Sequence, residues 1–215
     1  MKRTDIVMTE ELKSFLAFDL GHMKEDAFPN KRTDIPYCDD PELLMDIYYP
    51  EEKKDTYPVF LIVFGGGWIS GFRRSRFVEY MLKPLQMGYA CAVAQYTLSL
   101  DDTFPRPVID LKKAVNYLHT HAQELLLDTD NLTLWGESAG GHLALETALL
   151  PNERLGLTGL NTAVKNLVIF YPITDCDTID RYVKTEKDRH LRPDSVMGIF
   201  LASGLNDPQT LDLAS

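Results

Sequence analysis

Over the first forty residues apolar positions are broken up by charged residues and prolines, and from Leu43 onward they gather into runs. Leu43 to Tyr49 is apolar around a single Asp46 and stops at Pro50, while Val59 to Phe64 is an unbroken apolar run that ends in three glycines. A run apolar at every position, rather than every second one, is what a strand covered on both faces requires, so both segments predict strands, the second buried on two faces. Phe77 to Met87 predicts a helix stopped at Gly88, and Tyr89 to Tyr96 another strand. Past Pro105 and Pro107, residues Val108, Leu111, Val115, Leu118 and Ala122 recur at steps of three and four and mark one face of a helix. Asn131 to Trp135 predicts a short strand running into glycines. His142 to Leu150 has the Ala and Leu content of a buried helix, and Leu167 to Tyr171 predicts a fifth strand, stopped by Pro172.

Strands alternating with helices argue for an α/β fold with a largely parallel sheet and helices on both faces. Residues 1–40, charged and punctuated by Pro29, Asn30 and Pro36, read as a peripheral N-terminal arm with a short helix around Glu10 to Phe18 and no identifiable chemistry. Residues 41–215 then form the α/β domain. Beyond Thr174 come a charged stretch from Asp175 to Asp194, an apolar segment from Val196 to Leu201 and a polar end, with no further strand pattern. A sheet ending on Leu167 to Tyr171 would leave an apolar strand near its edge, which soluble proteins avoid. The domain is therefore expected to be incomplete, with its C-terminal strands missing.

Composition narrows the partners. A chain of 215 residues with 45% hydrophobic content supports one substantial core. The net charge of -10 leaves no basic stripe for a phosphate backbone, so nucleic acid is not an expected partner. Lys2 and Arg3 lie near the N-terminus, but Thr4, Asp5, Thr9, Glu10 and Glu11 break any apolar core of an export signal. The longest apolar run, Pro58 to Phe64, falls far short of the roughly 20 residues that span a bilayer. Cys38, Cys91 and Cys176 are widely spaced and odd in number, matching neither a disulfide framework nor a zinc site. These features predict a soluble cytoplasmic protein with plain thiols, and they leave the oligomeric state open.

Gly136-Glu137-Ser138-Ala139-Gly140 is a G-x-S-x-G sequence placed between a strand and a helix. A serine on such a tight turn needs glycines two positions either side, because side chains there would meet the neighbouring strand and helix. The hydroxyl is then exposed at the head of a helix whose N–H groups favour developing negative charge. Phe64-Gly65-Gly66-Gly67-Trp68 lies about seventy residues earlier, also at a strand end. Bare backbone N–H groups on a loop of this kind can hold the oxyanion of an acyl-transfer intermediate. No Gly-Lys-Ser/Thr follows these glycines and no G-x-G-x-x-G fingerprint is present, which speaks against a phosphate cradle. The two motifs together, in this order and both at strand ends, are what a serine acylhydrolase requires.

From Leu43 to Thr174 the chain resembles the esterase and lipase branch of the α/β-hydrolase fold, near the hormone-sensitive-lipase-like and BD-FAE-like carboxylesterases. The resemblance rests on Leu44-Met45-Asp46-Ile47-Tyr48-Tyr49-Pro50, the Gly-Gly-Gly-Trp loop, Tyr96 after a strand, the helix containing Asp110, and Gly136-Glu137-Ser138-Ala139-Gly140-Gly141-His142. It implies that Ser138 is the nucleophile, that the N–H groups of Gly66, Gly67 and Ala139 form the oxyanion hole, and that Glu137 is a neighbour and not a base. The family usually has His before the three glycines, where this chain has Phe64. It often has Arg after the strand-end Tyr, where this chain has Thr97.

In this fold the triad acid and histidine follow the serine in chain order. After Ser138 only His142 and His190 remain. His142 lies inside the helix after the elbow and reads as structural. His190, with Asp175 or Asp177, would preserve the order, but it sits among Lys187, Asp188, Arg189 and Arg192, a pattern typical of a solvated face. His119 and His121 would point to different sides of one helix and make a poor metal pair. The leading expectation is a serine-dependent hydrolase of carboxylic esters or related acyl compounds, acting on a small-molecule substrate through an acyl-enzyme on Ser138, with no metal or organic cofactor. Two alternatives stay open: a catalytically inactive hydrolase-like domain that binds a ligand or partner, and amide hydrolysis by the same apparatus.

Overall fold

Successive residues of a strand face opposite sides of its sheet, so a strand whose neighbouring residues are all buried must be covered on both sides. Leu61 and Ile62 are both 0% exposed, and their strand sits inside a six-stranded sheet. The computed structural model describes residues 3, 6–182, 184, 185, 189–204 and 207–215. Lys2, Thr4, Asp5, Lys187 and Asp188 lie outside the described residues. The strands are β1 (Lys31–Pro36), β2 (Leu44–Tyr48), β3 (Tyr57–Val63), β4 (Ala90–Ala94), β5 (Leu127–Glu137) and β6 (Asn166–Phe170). They lie in the order β1-β2-β4-β3-β5-β6. The neighbours β4, β3, β5 and β6 run parallel, and β2 and β1 add antiparallel to the β4 edge. The α/β class and the largely parallel sheet are as expected.

The helices are α1 (Glu10–Leu16), α2 (Arg76–Met81), α3 (Arg106–Thr120), α4 (Ala139–Leu149), α5 (Val196–Leu201) and α6 (Pro208–Leu213). Val108, Leu111, Val115 and Leu118 of α3 are fully buried, which is the stripe read from their spacing. The single helix expected over Phe77 to Met87 is instead α2 followed by a 3₁₀ turn, Lys83–Met87. Pro84 has no N–H to continue the α-helical ladder, and Gly88 closes the turn at a left-handed φ of 83°. β5 begins at Leu127, four residues before the predicted start at Asn131. Leu127 and Asp128 pair with Tyr57 and Pro58, and an irregularity separates this pairing from that of Thr133 to Gly136.

The largest departure is at the N-terminus. Residues 31–36, which the hydrophobic pattern leaves in a peripheral arm, form the edge strand β1. Their half-buried and exposed positions alternate, as suits a solvated edge kept from further pairing by charge. Asp46, the lone acid of β2, explains how the edge is fixed. It is fully buried and accepts from the N–H of Asp34 at 2.8 Å, Arg73 Nε at 2.9 Å and Arg74 Nε at 2.7 Å. A buried carboxylate is tolerated only when its lone pairs are so occupied. The two arginines lie just past the glycine loop, so Asp46 ties β1 and β2 to the segment that carries the site.

At the opposite edge β6 is only partly covered. Leu167, Val168 and Ile169 are half-buried and Phe170 is exposed. No strand pairs with the outer side of β6 among the described residues. No described helix is long and apolar enough to cross a membrane.

Candidate active site

Ser138 sits between β5 and α4 with φ 51° and ψ −126°, a left-handed conformation that a side chain adopts only under compulsion. The compulsion comes from close packing on both sides. A Cβ on Gly136 would lie 2.2 Å from the carbonyl oxygen of Gly140, and one on Gly140 would lie 2.2 Å from that of Val63. The Ser138 N–H donates to Phe170 O at 3.0 Å, so the end of β6 props the turn from behind. This is the strand-turn-helix context expected of the motif.

The glycine loop continues β3 and lies against the elbow. A Cβ on Gly65 would be 3.0 Å from Glu137 O and 3.4 Å from Ser138 Cβ. Gly66 has φ 134°, with Ser70 O only 2.2 Å from where a Cβ would be. Its carbonyl accepts from Ser70 N at 3.0 Å. The N–H groups of Gly66 and Gly67 donate to no acceptor among the described residues. Ala139 opens α4, so its N–H has no acceptor within the helix. Phe64, where the resembled family carries histidine, stacks on Tyr96 at 4.5 Å, and the Tyr96 hydroxyl donates to Phe64 O at 2.8 Å.

Ser138, Glu137, Gly65 and Gly66 open into a cavity of about 590 Å³, walled by Phe64, Phe77 and Met81 and by Phe15, Phe18 and Leu20 from the N-terminal segment. The segment read as free of chemistry therefore supplies part of the pocket wall. Its signal was faint, because Phe15 and Phe18 stand among charged residues and remain partly exposed. Phe18 packs on Phe77 with ring centroids 6.0 Å apart. The Glu137 carboxylate accepts from the hydroxyls of Tyr80 and Tyr171. Its hydrogen bond pushes the Tyr171 hydroxyl up to about 12. Glu137 is thus held beside Ser138 by two tyrosines.

The histidines are placed differently. His142 is 1% exposed. Its Nδ1 accepts from Trp68 Nε1 at 3.3 Å and its Nε2 lies 2.9 Å from Ala214 O. An indole N–H can only donate, so the proton of His142 is on Nε2 and points at the Ala214 carbonyl. Burial lowers its pKa to about 4, with the Ala214 bond acting the other way. Both ring nitrogens are occupied, in keeping with a structural histidine. His190 pairs with Asp180, not with Asp175 or Asp177: Nδ1 lies 3.1 Å from Asp180 Oδ1, while Asp175 bonds Thr178. Burial pushes the Asp180 pKa up, but the N–H groups of Leu191 and His190 outweigh it and hold the carboxyl below its ordinary value. Ser138 Oγ has no hydrogen-bond partner among the described residues. His119 reaches Ala163 O and His121 turns back to Tyr117 O, and no described cluster of metal-ligating side chains exists.

Over 123 residues the chain is 33% identical to the probable carboxylic ester hydrolase LipM of Mycobacterium tuberculosis, covering 56% of this chain and 28% of that one. Over 149 residues it is 30% identical to esterase LipQ of the same organism, covering 66% of this chain and 35% of that one. It thus spans about a third of the length of these relatives. Among solved structures, a truncated carbohydrate esterase from gut microbiota superposes with TM-score 0.76 at 20% identity, over 90% of this chain and 73% of that one. Esterase B from Lactobacillus rhamnosis gives 0.66 at 21% identity, over 93% and 62%. These likenesses are of fold. The BD-FAE family model matches residues 45–213, a span that takes in the glycine loop, the elbow and α4, and by this match the chain belongs to the BD-FAE family, on an α/β-hydrolase fold.

Proposed function

We propose that this chain carries the nucleophile and oxyanion half of a serine carboxylic-ester hydrolase. The observation that carries the reading is the strained Ser138 turn, opening into an apolar cavity together with the glycine loop. Ser138 Oγ attacks the ester carbonyl, the alcohol leaves, and water releases the acid from the acyl-enzyme. The N–H groups of Gly66, Gly67 and Ala139 receive the charge that develops on the carbonyl oxygen, each donor contributing about a hundred- to thousandfold in rate. The largely apolar wall suits the acyl chain of a small-molecule ester. The relatives named as ester hydrolases support this chemistry. A reducing, cytoplasmic setting suits the three free thiols, of which Cys91 and Cys176 are buried.

A nucleophilic serine also needs a base. His190, oriented by Asp180, is the described histidine paired with a carboxylate. The test is fluorophosphonate labelling and short-chain aryl-ester turnover by the full chain, with Ser138→Ala and His190→Ala beside it. Ser138-dependent labelling and turnover are expected. Loss of turnover in His190→Ala assigns the base. Equal signal from the chain and from Ser138→Ala sinks the reading in favour of a domain that binds without hydrolysing.

A further inference from the structure

Trp68 follows the glycine loop with φ 60°, a backbone conformation that a bulky side chain keeps only when its surroundings over-determine it. Three contacts do so. The indole is 2% exposed and stacks on Phe200 with centroids 4.7 Å apart and planes at 15°. Its carbonyl accepts from Ser99 N at 2.8 Å. Its Nε1 donates to His142 Nδ1 at 3.3 Å. That last bond is the one hydrogen bond joining residues 65–69 to α4 among the described residues. His142 stands one turn beyond the nucleophile, and its own N–H donates to Ser138 O at 3.1 Å. One residue therefore closes the first helical turn beneath Ser138 and grips the loop bearing the free Gly66 and Gly67 amides. The ring cannot swing, because Nε2–H is spent on Ala214 O at 2.9 Å and the imidazole edge meets both Trp68 and Phe200 at near right angles.

We propose that His142 is a positioning residue: through Trp68 it fixes the Gly66–Gly67 amides at their working distance from Ser138. The proposal rests on the serine-hydrolase reading for its consequence in rate, though not for its consequence in loop order. His142 never touches the substrate. It acts by holding the loop while charge develops, and misplacing such donors by about 1 Å can cost on the order of a hundredfold.

The test uses the full chain and three variants. His142→Leu removes both side-chain bonds. Trp68→Phe removes only the indole N–H and leaves a ring on Phe200. His142→Asn keeps an acceptor for the indole. Hydrogen exchange is read at the Ile69, Ser70 and Ser99 amides, each hydrogen-bonded in or to the loop, with the amides of α3 as control. Exchange at the three positions is expected to quicken about tenfold or more in His142→Leu and Trp68→Phe with α3 unchanged, and to return toward the parent rate in His142→Asn. On a short-chain aryl ester, kcat is expected to fall about 10- to 100-fold in the first two variants with KM within about twofold, since a donor aligned only for the transition state affects kcat. The double variant should be no slower than the worse single one.

Unchanged exchange in Trp68→Phe overturns the proposal, whatever the turnover, and this variant decides if His142→Leu fails to fold. Full kcat in Trp68→Phe also overturns it while leaving the serine reading intact. If the parent chain turns over no more ester than Ser138→Ala, the serine reading fails alone, and the exchange rates still decide whether His142 holds the loop.

Discussion

Two regions of the domain, the one that opens into the cavity and the one that follows β6, are built on different principles. The elbow and the glycine loop stand on the ends of β5 and β3, inner strands of the parallel sheet, and backbone meets backbone at distances that admit no Cβ. The segment after β6 holds itself by local surface contacts: Asp180 gathers the N–H groups of His190 and Leu191, and Arg192 bonds Asp194 two residues on. Ser138 is over-determined, whereas His190 is half-exposed and is held by a single carboxylate, that of the buried Asp180 side chain. Strain at Ser138 persists because many close backbone contacts would have to break together.

This contrast can be broken by substitution. Gly140→Ala places a methyl carbon 2.2 Å from Val63 O, with backbone on both sides, and is expected to cost at least about 4 kcal/mol or to prevent folding, read by urea denaturation. Next in size is an opposition of pH slopes on α4. Burial lowers His142 from its ordinary 6.5 to about 4, so the unfolded chain takes up its proton first on acidification. Its contribution is complete above pH 6.5 and is lost as the pH falls toward 4, up to about 3 kcal/mol. Burial raises Glu146 from 4.5 to about 7, against Arg154 and Lys112. Its contribution is complete below pH 4.5 and is lost as the pH rises toward 7, about 2 kcal/mol for a partly exposed carboxyl. The parent stability should therefore change little between about pH 5 and 6.5, Glu146→Gln should unmask a rise, and His142→Asn a fall; equal profiles for all three refute the assignment.

Relief of strain comes third. Ser138→Gly, at φ 51° and ψ −126°, is expected to raise stability by about 1 kcal/mol while abolishing fluorophosphonate labelling. A neutral or destabilising result would mean that the turn stores no strain. Smallest is His190→Ala, within about 0.5 kcal/mol of the parent in the same denaturation, because the imidazole is half-exposed. A larger loss would make the C-terminal segment part of the rigid frame.

The sequence exposes the first region better than the second, for a physical reason. Glycines demanded by close backbone contact must stand at fixed offsets from the serine, so Gly136, Gly140 and the Gly65–Gly67 loop announce themselves locally. The same holds for β3, whose burial on both faces leaves no polar position to hide it. β1 has no such mark, since a solvated edge strand of Lys, Arg, Thr and Asp looks like loop until Asp46 and two arginines are seen to hold it. Phe15 and Phe18 carry no period that separates a pocket wall from an exposed helix face. The role of His142 is invisible for another reason: its partner Trp68 lies 74 residues away, and no short-range pattern links them. Asp180 is chosen over Asp175 and Asp177 by the local chain path, not by spacing.

The outer side of β6 has a practical consequence. From Leu167 to Phe170 it offers four uncharged apolar residues in extended form, without the lysines, prolines or bulges that discourage one sheet from extending another. An edge of this kind favours pairing with another strand, so association of this chain is expected to grow with protein concentration, as read by light scattering.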